Sequence, residues 1–154
     1  MELDEDFRAA LERVRRAVND FVNGDPEPYK ACWHHQGRVS IFGGLGAYEA
    51  GWDEVGPRLE WVAAGFVTGY VEEEVLSAGC SGDLGFTVCL ERGRQQVAGR
   101  DTDAPVVLRV TQVYERVDGV WGLVHRHADP LTDKGGATAI LAGGGHAAGP
   151  GPAG

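Results

Sequence analysis

The sequence predicts a single α+β domain with helices gathered toward its N-terminus and strands filling its second half, in the order ααββαββββ. Three observations predict it. An apolar stripe of helical period runs from Leu3 to Val22, β-branched alternating runs dominate after Gly69, and Asp118-Gly119 separates the last two runs as a two-residue turn.

Leu3, Phe7, Leu11, Val14, Val18 and Val22 recur at steps of three or four, with Arg8, Glu12, Arg15, Arg16 and Asn19 on the opposite side. Glu2, Asp4, Glu5 and Asp6 suit the positive end of this first helix, and Asn23-Gly24 supplies residues that tolerate a left-handed stop. Asp25-Pro26 reads as an N-cap and first-turn proline opening a short second helix to about His34. Arg38 to Phe42 is a strand candidate, followed by a glycine-punctuated return through Ala47 to Glu49. Trp52, Val55, Leu59, Val62 and Phe66 keep the period of a third helix. Strands are then expected at about Tyr70 to Ala78, Leu84 to Arg92, Val106 to Val117 and Val120 to Ala128, with a turn at Gly82-Asp83. The domain is expected to end near residue 133. Residues 134–154 are almost wholly Gly, Ala and Pro, which offer too little apolar surface to offset ordering, so a floppy tail with an incidental His146 is expected.

At 154 residues the chain can bury about two-thirds of its unfolded surface without a metal or disulfide staple. A formal charge of −9 disfavours phosphate backbones and anionic lipid surfaces, so neither nucleic acid nor a membrane is an expected partner. Cys32, Cys80 and Cys89 are odd in number and lack CxxC spacing, which suits a reducing cytoplasm better than a disulfide framework. The acidic N-terminus does not resemble a signal peptide, and no run approaches the ~18 apolar residues of a membrane span.

Counting outward from the Asp118-Gly119 turn puts Leu108, Val110, Gln112, Tyr114 and Arg116 opposite Asp129, His127, His125, Leu123 and Trp121 on one face. That face mixes large apolar groups with a few polar ones, the composition of a pocket wall. The other face carries Arg109, Thr111, Val113, Glu115 and Val117 against Ala128, Arg126, Val124, Gly122 and Val120, and suits solvent or a partner sheet.

Asn23-Gly24-Asp25, Glu27, Tyr29, Lys30 and Cys32, then Gly82-Asp83, and finally Asp118-Gly119-x-Trp121-x-x-Val124-His125-x-His127 resemble the signature of the SnoaL-like branch of the nuclear-transport-factor-2-like superfamily. The likeness is spread over about residues 5–131, and the same run is similar to the association domain of calcium/calmodulin-dependent protein kinase II. The resemblance implies a cone: a strongly curved sheet, mixed or antiparallel, wrapped round a long first helix, with a pocket at the open end and homodimers through the outer sheet face. It implies a fold more than a function, because this ketosteroid-isomerase-like scaffold hosts isomerases, dehydratases, cyclases and plain binding modules. Steroid isomerases of the superfamily place a carboxylate on an early strand and a tyrosine in the first helix. Arg38 to Phe42 has no acid and the first helix no Tyr, which argues against that reaction.

His125 and His127 share a strand face and titrate near neutrality, so either could shuttle protons, or both could be hydrogen-bonding residues with Gln112 as partner. Asp129 could orient an imidazole or start the turn before Pro130. A metal on the His-x-His pair would need a third ligand from Asp129, His34 or His35, and no metal or other cofactor is expected. His34 and His35 read as cations at a helix C-terminus, though one could overhang the pocket. Tyr114, Trp61, Trp33, Phe42 and Trp52 are either core or a stacking surface for a flat ligand, and Glu73 and Glu91 are acids that could enter the cavity. The reading is a cofactor-independent lyase, isomerase or cyclase acting on a hydrophobic carbonyl or polyketide-like molecule. In it His127 is the acid or base, His125 and Asp129 support it, and Gln112, Tyr114, Trp61, Trp33 and Phe42 bind substrate. The alternative is a non-catalytic ligand-binding or oligomerisation module.

Overall fold

A computed structural model of the protein describes residues 2–141. The elements follow the expected order: α1 (Glu5–Phe21), α2 (Glu27–Ala31), β1 (Ser40–Phe42), β2 (Glu49–Ala50), α3 (Trp52–Ala63), β3 (Phe66–Ser81), β4 (Leu84–Val97), β5 (Ala104–Val117) and β6 (Val120–Pro130). The strands form one open six-stranded sheet, β2-β1-β6-β5-β4-β3, antiparallel throughout except where β1 runs parallel to β6. Helix α1 touches both β3 at one edge and β6 nearer the other, so the sheet curls around it as a cone. Among the described residues no helix is long and apolar enough to cross a membrane.

Helix α1 buries Phe7, Val14 and Val18 of the expected stripe, with Leu11 partly buried, together with Ala10 and Ala17, which let the helix sit close to the sheet. Phe7 anchors it, 5.4 Å from the Tyr114 ring and 4.7 Å from Trp121. Gly24 takes the left-handed turn after the helix (φ +93°). Asn19 and Asn23, one turn apart, then close the free edge of β3. Asn19 accepts from Val71 N–H and donates to Val71 C=O, and Asn23 does the same for Gly69. These amides mimic a missing strand, which blunts an edge that would otherwise offer unpaired backbone groups.

Several boundaries differ from expectation for tertiary reasons. Helix α2 stops at Ala31 rather than near His34, because Cys32 and His34 pair their backbones with Leu123 on β6. Phe66 belongs to β3 and not to the third helix, and β3, β4, β5 and β6 each extend beyond the expected runs. Such long strands curve through register shifts at Phe66/Thr68, Val75/Ser77 and Val113/Tyr114. Gly93 is required here, since a Cβ on it would meet Tyr70 C=O at 1.8 Å. In the segment expected to be a floppy tail, residues 134–141 are exposed and carry one short 3-10 turn, Ala137–Ile140. His146 lies outside the described residues.

Candidate functional site

The Asp118-Gly119 turn forms as expected, with φ of +51° and +80°, and the pairs Val117–Val120 through Tyr114–Leu123 match the count. Beyond them the count fails. Val113 pairs with His125, so Val124 is an extra residue, and the partners become Gln112–Arg126, Thr111–His127, Val110–Ala128 and Arg109–Asp129. A single bulge residue exchanges the two faces of everything that follows. His125, His127 and Asp129 therefore lie on the outer face, while Arg126 and Ala128 turn inward.

The expected placement of the histidine wall in the pocket is corrected accordingly. His125 Nδ1 sits 2.8 Å from Ser40 Oγ, its ring meets the edge of Phe42, and burial lowers its pKa. His127 leaves 52% of its side chain exposed, and Asp129 is held in a two-pronged pair with Arg109 at 2.7 and 2.8 Å. Phe42 is 40% exposed on the same outer face. None of these four lines the main cavity. His34 and His35 do not reach it either. His34 Nε2 bonds Glu115 C=O, and His35 bonds Lys30 C=O while stacking on Trp52 at 3.9 Å.

The main cavity, of about 1080 Å³, lies between α1, α3 and the inner face of β4, β5 and β6. Its walls are apolar, including Val18, Phe21, Ile41, Leu59, Val71 and Leu108, with Trp61 and Leu45 at an exposed rim. Two ion pairs line it. Glu49 meets Arg58 at 3.2 Å, and Arg58 also covers the face of Trp61 at 4.8 Å. Deeper in, Arg126 grips both oxygens of Glu91 at 2.8 Å, with 9% and 5% of the two residues exposed.

A connected set of polar side chains surrounds this fork. Arg126 also donates to Gln112 Oε1 at 3.3 Å, and the Tyr29 hydroxyl donates to the same oxygen at 3.4 Å. Gln112 Nε2 in turn donates to Thr87 Oγ1 and the Tyr114 oxygen. Gln112 thus spends both ends of its amide, which fixes its orientation. Burial works against the Arg126 charge, but the adjacent Glu91 carboxylate more than offsets this, and the guanidinium holds its proton more tightly than usual. Burial pushes the Tyr29 hydroxyl up to about 12 and raises Tyr114 as well, so both hydroxyls stay neutral.

Glu73 stands opposite Glu91 across β3 and β4, and a carboxylate oxygen of each lies within 4.8 Å of the other and of Cys89 Sγ. Burial, then Glu91, raises the Glu73 carboxyl; burial, then Glu73 and Glu91, pushes the Cys89 thiol up to about 12. With Glu91 committed to Arg126, and burial favouring the protonated forms of Glu73 and Cys89, this trio is poorly suited to binding a cation.

Of the remaining expected ligand-binding residues, Gln112 lies inside the polar set and Trp61 stands at the rim. Tyr114 turns inward but lines a separate cleft of about 490 Å³ beside Trp121 and Cys32. Trp33 is core, and its buried Nε1–H has no hydrogen-bond partner among the described residues. Reading the sequence missed Arg126, whose inward position follows only from the bulge. The signal available was the run Gly122-Leu123-Val124, where strict alternation breaks.

No family model matches the chain, and no curated protein matches it in sequence. Solved structures do match. A nuclear transport factor 2-like superfamily protein from Salmonella enterica superposes with a TM-score of 0.72 at 14% identity, over 84% of this chain and 91% of that one. A provisionally assigned dehydratase of the NTF2-like family from Streptomyces avermitilis gives 0.71 at 19% identity, over 84% and 96%. A provisionally assigned calcium/calmodulin-dependent protein kinase type II association domain from Thiobacillus denitrificans gives 0.67 at 19% identity, over 86% and 100%. At these identities the likeness shows the fold: this chain has the NTF2-like cone.

Proposed function

We propose that this protein binds an apolar small molecule in the large cavity, with the molecule's polar end against the Glu91–Arg126 floor beside Tyr29. The supporting observation is the combination of apolar walls with one buried, hydrogen-bonded charge pair at their base, in a volume just above the roughly 300–1,000 Å³ usual for ligand clefts. Every polar group of the floor is held in place by another, so the site is preorganised to receive a ligand rather than poised with a free base. Uptake of the neutral dye Nile red tests the reading. Wild type should bind it with a blue-shifted emission, and Val106→Trp, which fills the cavity from β5, should weaken binding by at least about tenfold. Equal binding by both forms refutes the cavity as the site.

A lyase or isomerase reading uses the same residues, with Glu91 as base and Arg126 steadying a developing oxyanion. It draws on the provisional dehydratase assignment of a structural neighbour. It requires a substrate able to open the fork, since Arg126 occupies both Glu91 oxygens.

The protein is further proposed to self-associate through the outer sheet face, where Leu84, Phe86 and Val117 stay exposed alongside Phe42 and His127. Sedimentation of wild type and Phe86→Glu checks this, and a wild-type monomer at all concentrations sinks it.

A further inference from the structure

The floor of the cavity presents a guanidinium whose charge is already cancelled. Arg126 lines the cavity, yet its three hydrogen bonds run to Glu91 Oε1, Glu91 Oε2 and Gln112 Oε1. A guanidinium has five N–H donors, so donors remain for a guest although no net positive charge does. The other cations nearby are also committed: Arg58 to Glu49 at the rim, and Arg15, which faces Glu73 from α1, to Glu12. Glu73 adds a second carboxyl opposite Glu91. Burial raises Glu73, which lessens the acidic bias of this wall without reversing it.

A carboxylate entering the cavity would leave water for a floor without spare positive charge and would face the Glu91 carboxylate. A carbonyl or hydroxyl oxygen would accept from Arg126 without that penalty. Resting on the binding reading above, we infer that the cavity selects uncharged apolar molecules bearing a carbonyl or hydroxyl oxygen and rejects carboxylates of equal length.

Displacement of Nile red by 1-dodecanol and by dodecanoate, at about pH 8 where the acid is ionised, reads this selection. Wild type should prefer dodecanol by at least about tenfold. Glu91→Gln uncovers the Arg126 charge and should shift the ratio toward dodecanoate by about tenfold or more. Dodecanoate binding as tightly as dodecanol in wild type overturns the inference, as does an unchanged ratio in folded Glu91→Gln. If that variant does not fold, the wild-type ratio decides alone. Failure of wild type to bind Nile red at all removes the binding reading and this inference together, whereas displacement without discrimination removes only the charge selection.

Discussion

Replacing Glu91 with Gln tests whether the fork is a buried pair or a solvated one. The change keeps the shape of the side chain and removes its charge, leaving a guanidinium that is 9% exposed with only neutral amide oxygens, that of Gln112 and that of the new side chain, to accept from it. Breaking a buried pair from one side costs about 3–5 kcal/mol, because the remaining charge is uncompensated, and water in the cavity should bring the loss to the lower part of that range. Arg126→Met should cost a similar amount by stranding Glu91 beside Glu73. Glu91→Leu combined with Arg126→Met removes both charges, and such replacements range from neutral to stabilising by about 1–4 kcal/mol. Urea titrations of Glu91→Leu, Arg126→Met and the variant carrying both form a cycle whose coupling energy should therefore be of several kcal/mol. Single variants that each cost less than about 1 kcal/mol and combine additively would refute a buried, mutually dependent pair.

Deleting Val124 should slide residues 125–130 by one position, turning Arg126 outward and the histidines inward. A loss above about 4 kcal/mol in chemical denaturation is expected, and a near-native midpoint would show that the bulge is not needed. Glu73 has a raised folded-state pKa, so the folded form binds the proton more readily than the unfolded one; its contribution is present below the ordinary Glu value and lost as pH rises through the folded value. Glu73→Gln should therefore gain stability over wild type at about pH 8 and lose that advantage near pH 4, and thermal melts that show the same difference at both pH values contradict this. Asn19→Ala with Asn23→Ala should lower stability by about 1–3 kcal/mol and speed hydrogen exchange at Gly69 and Val71, whereas unchanged protection there would mean that the β3 edge does not depend on these amides.

Much of this fold is legible in local chemistry. The Phe7–Val14–Val18 stripe, the Asn23-Gly24 stop and the Asp118-Gly119 turn act through neighbours a few residues away, and each forms as expected. Element ends depend on distant partners. Cys32 to His34 leave the helix because Leu123 offers them backbone bonds, and β3 begins at Phe66 because Val97 lies across from it.

The candidate site divides in the same way. Residue order by itself determined that Gln112 and Tyr114 share one face of β5, since alternation along one strand is a local property. Only the tertiary structure decided which half of β6 faces them. The bulge at Val124 arises because a strand curling round α1 cannot keep regular pairing along its whole length, and a count from the hairpin turn carries no information about that curvature. One additional residue moved two histidines and an aspartate to the outer face and brought Arg126 to Glu91.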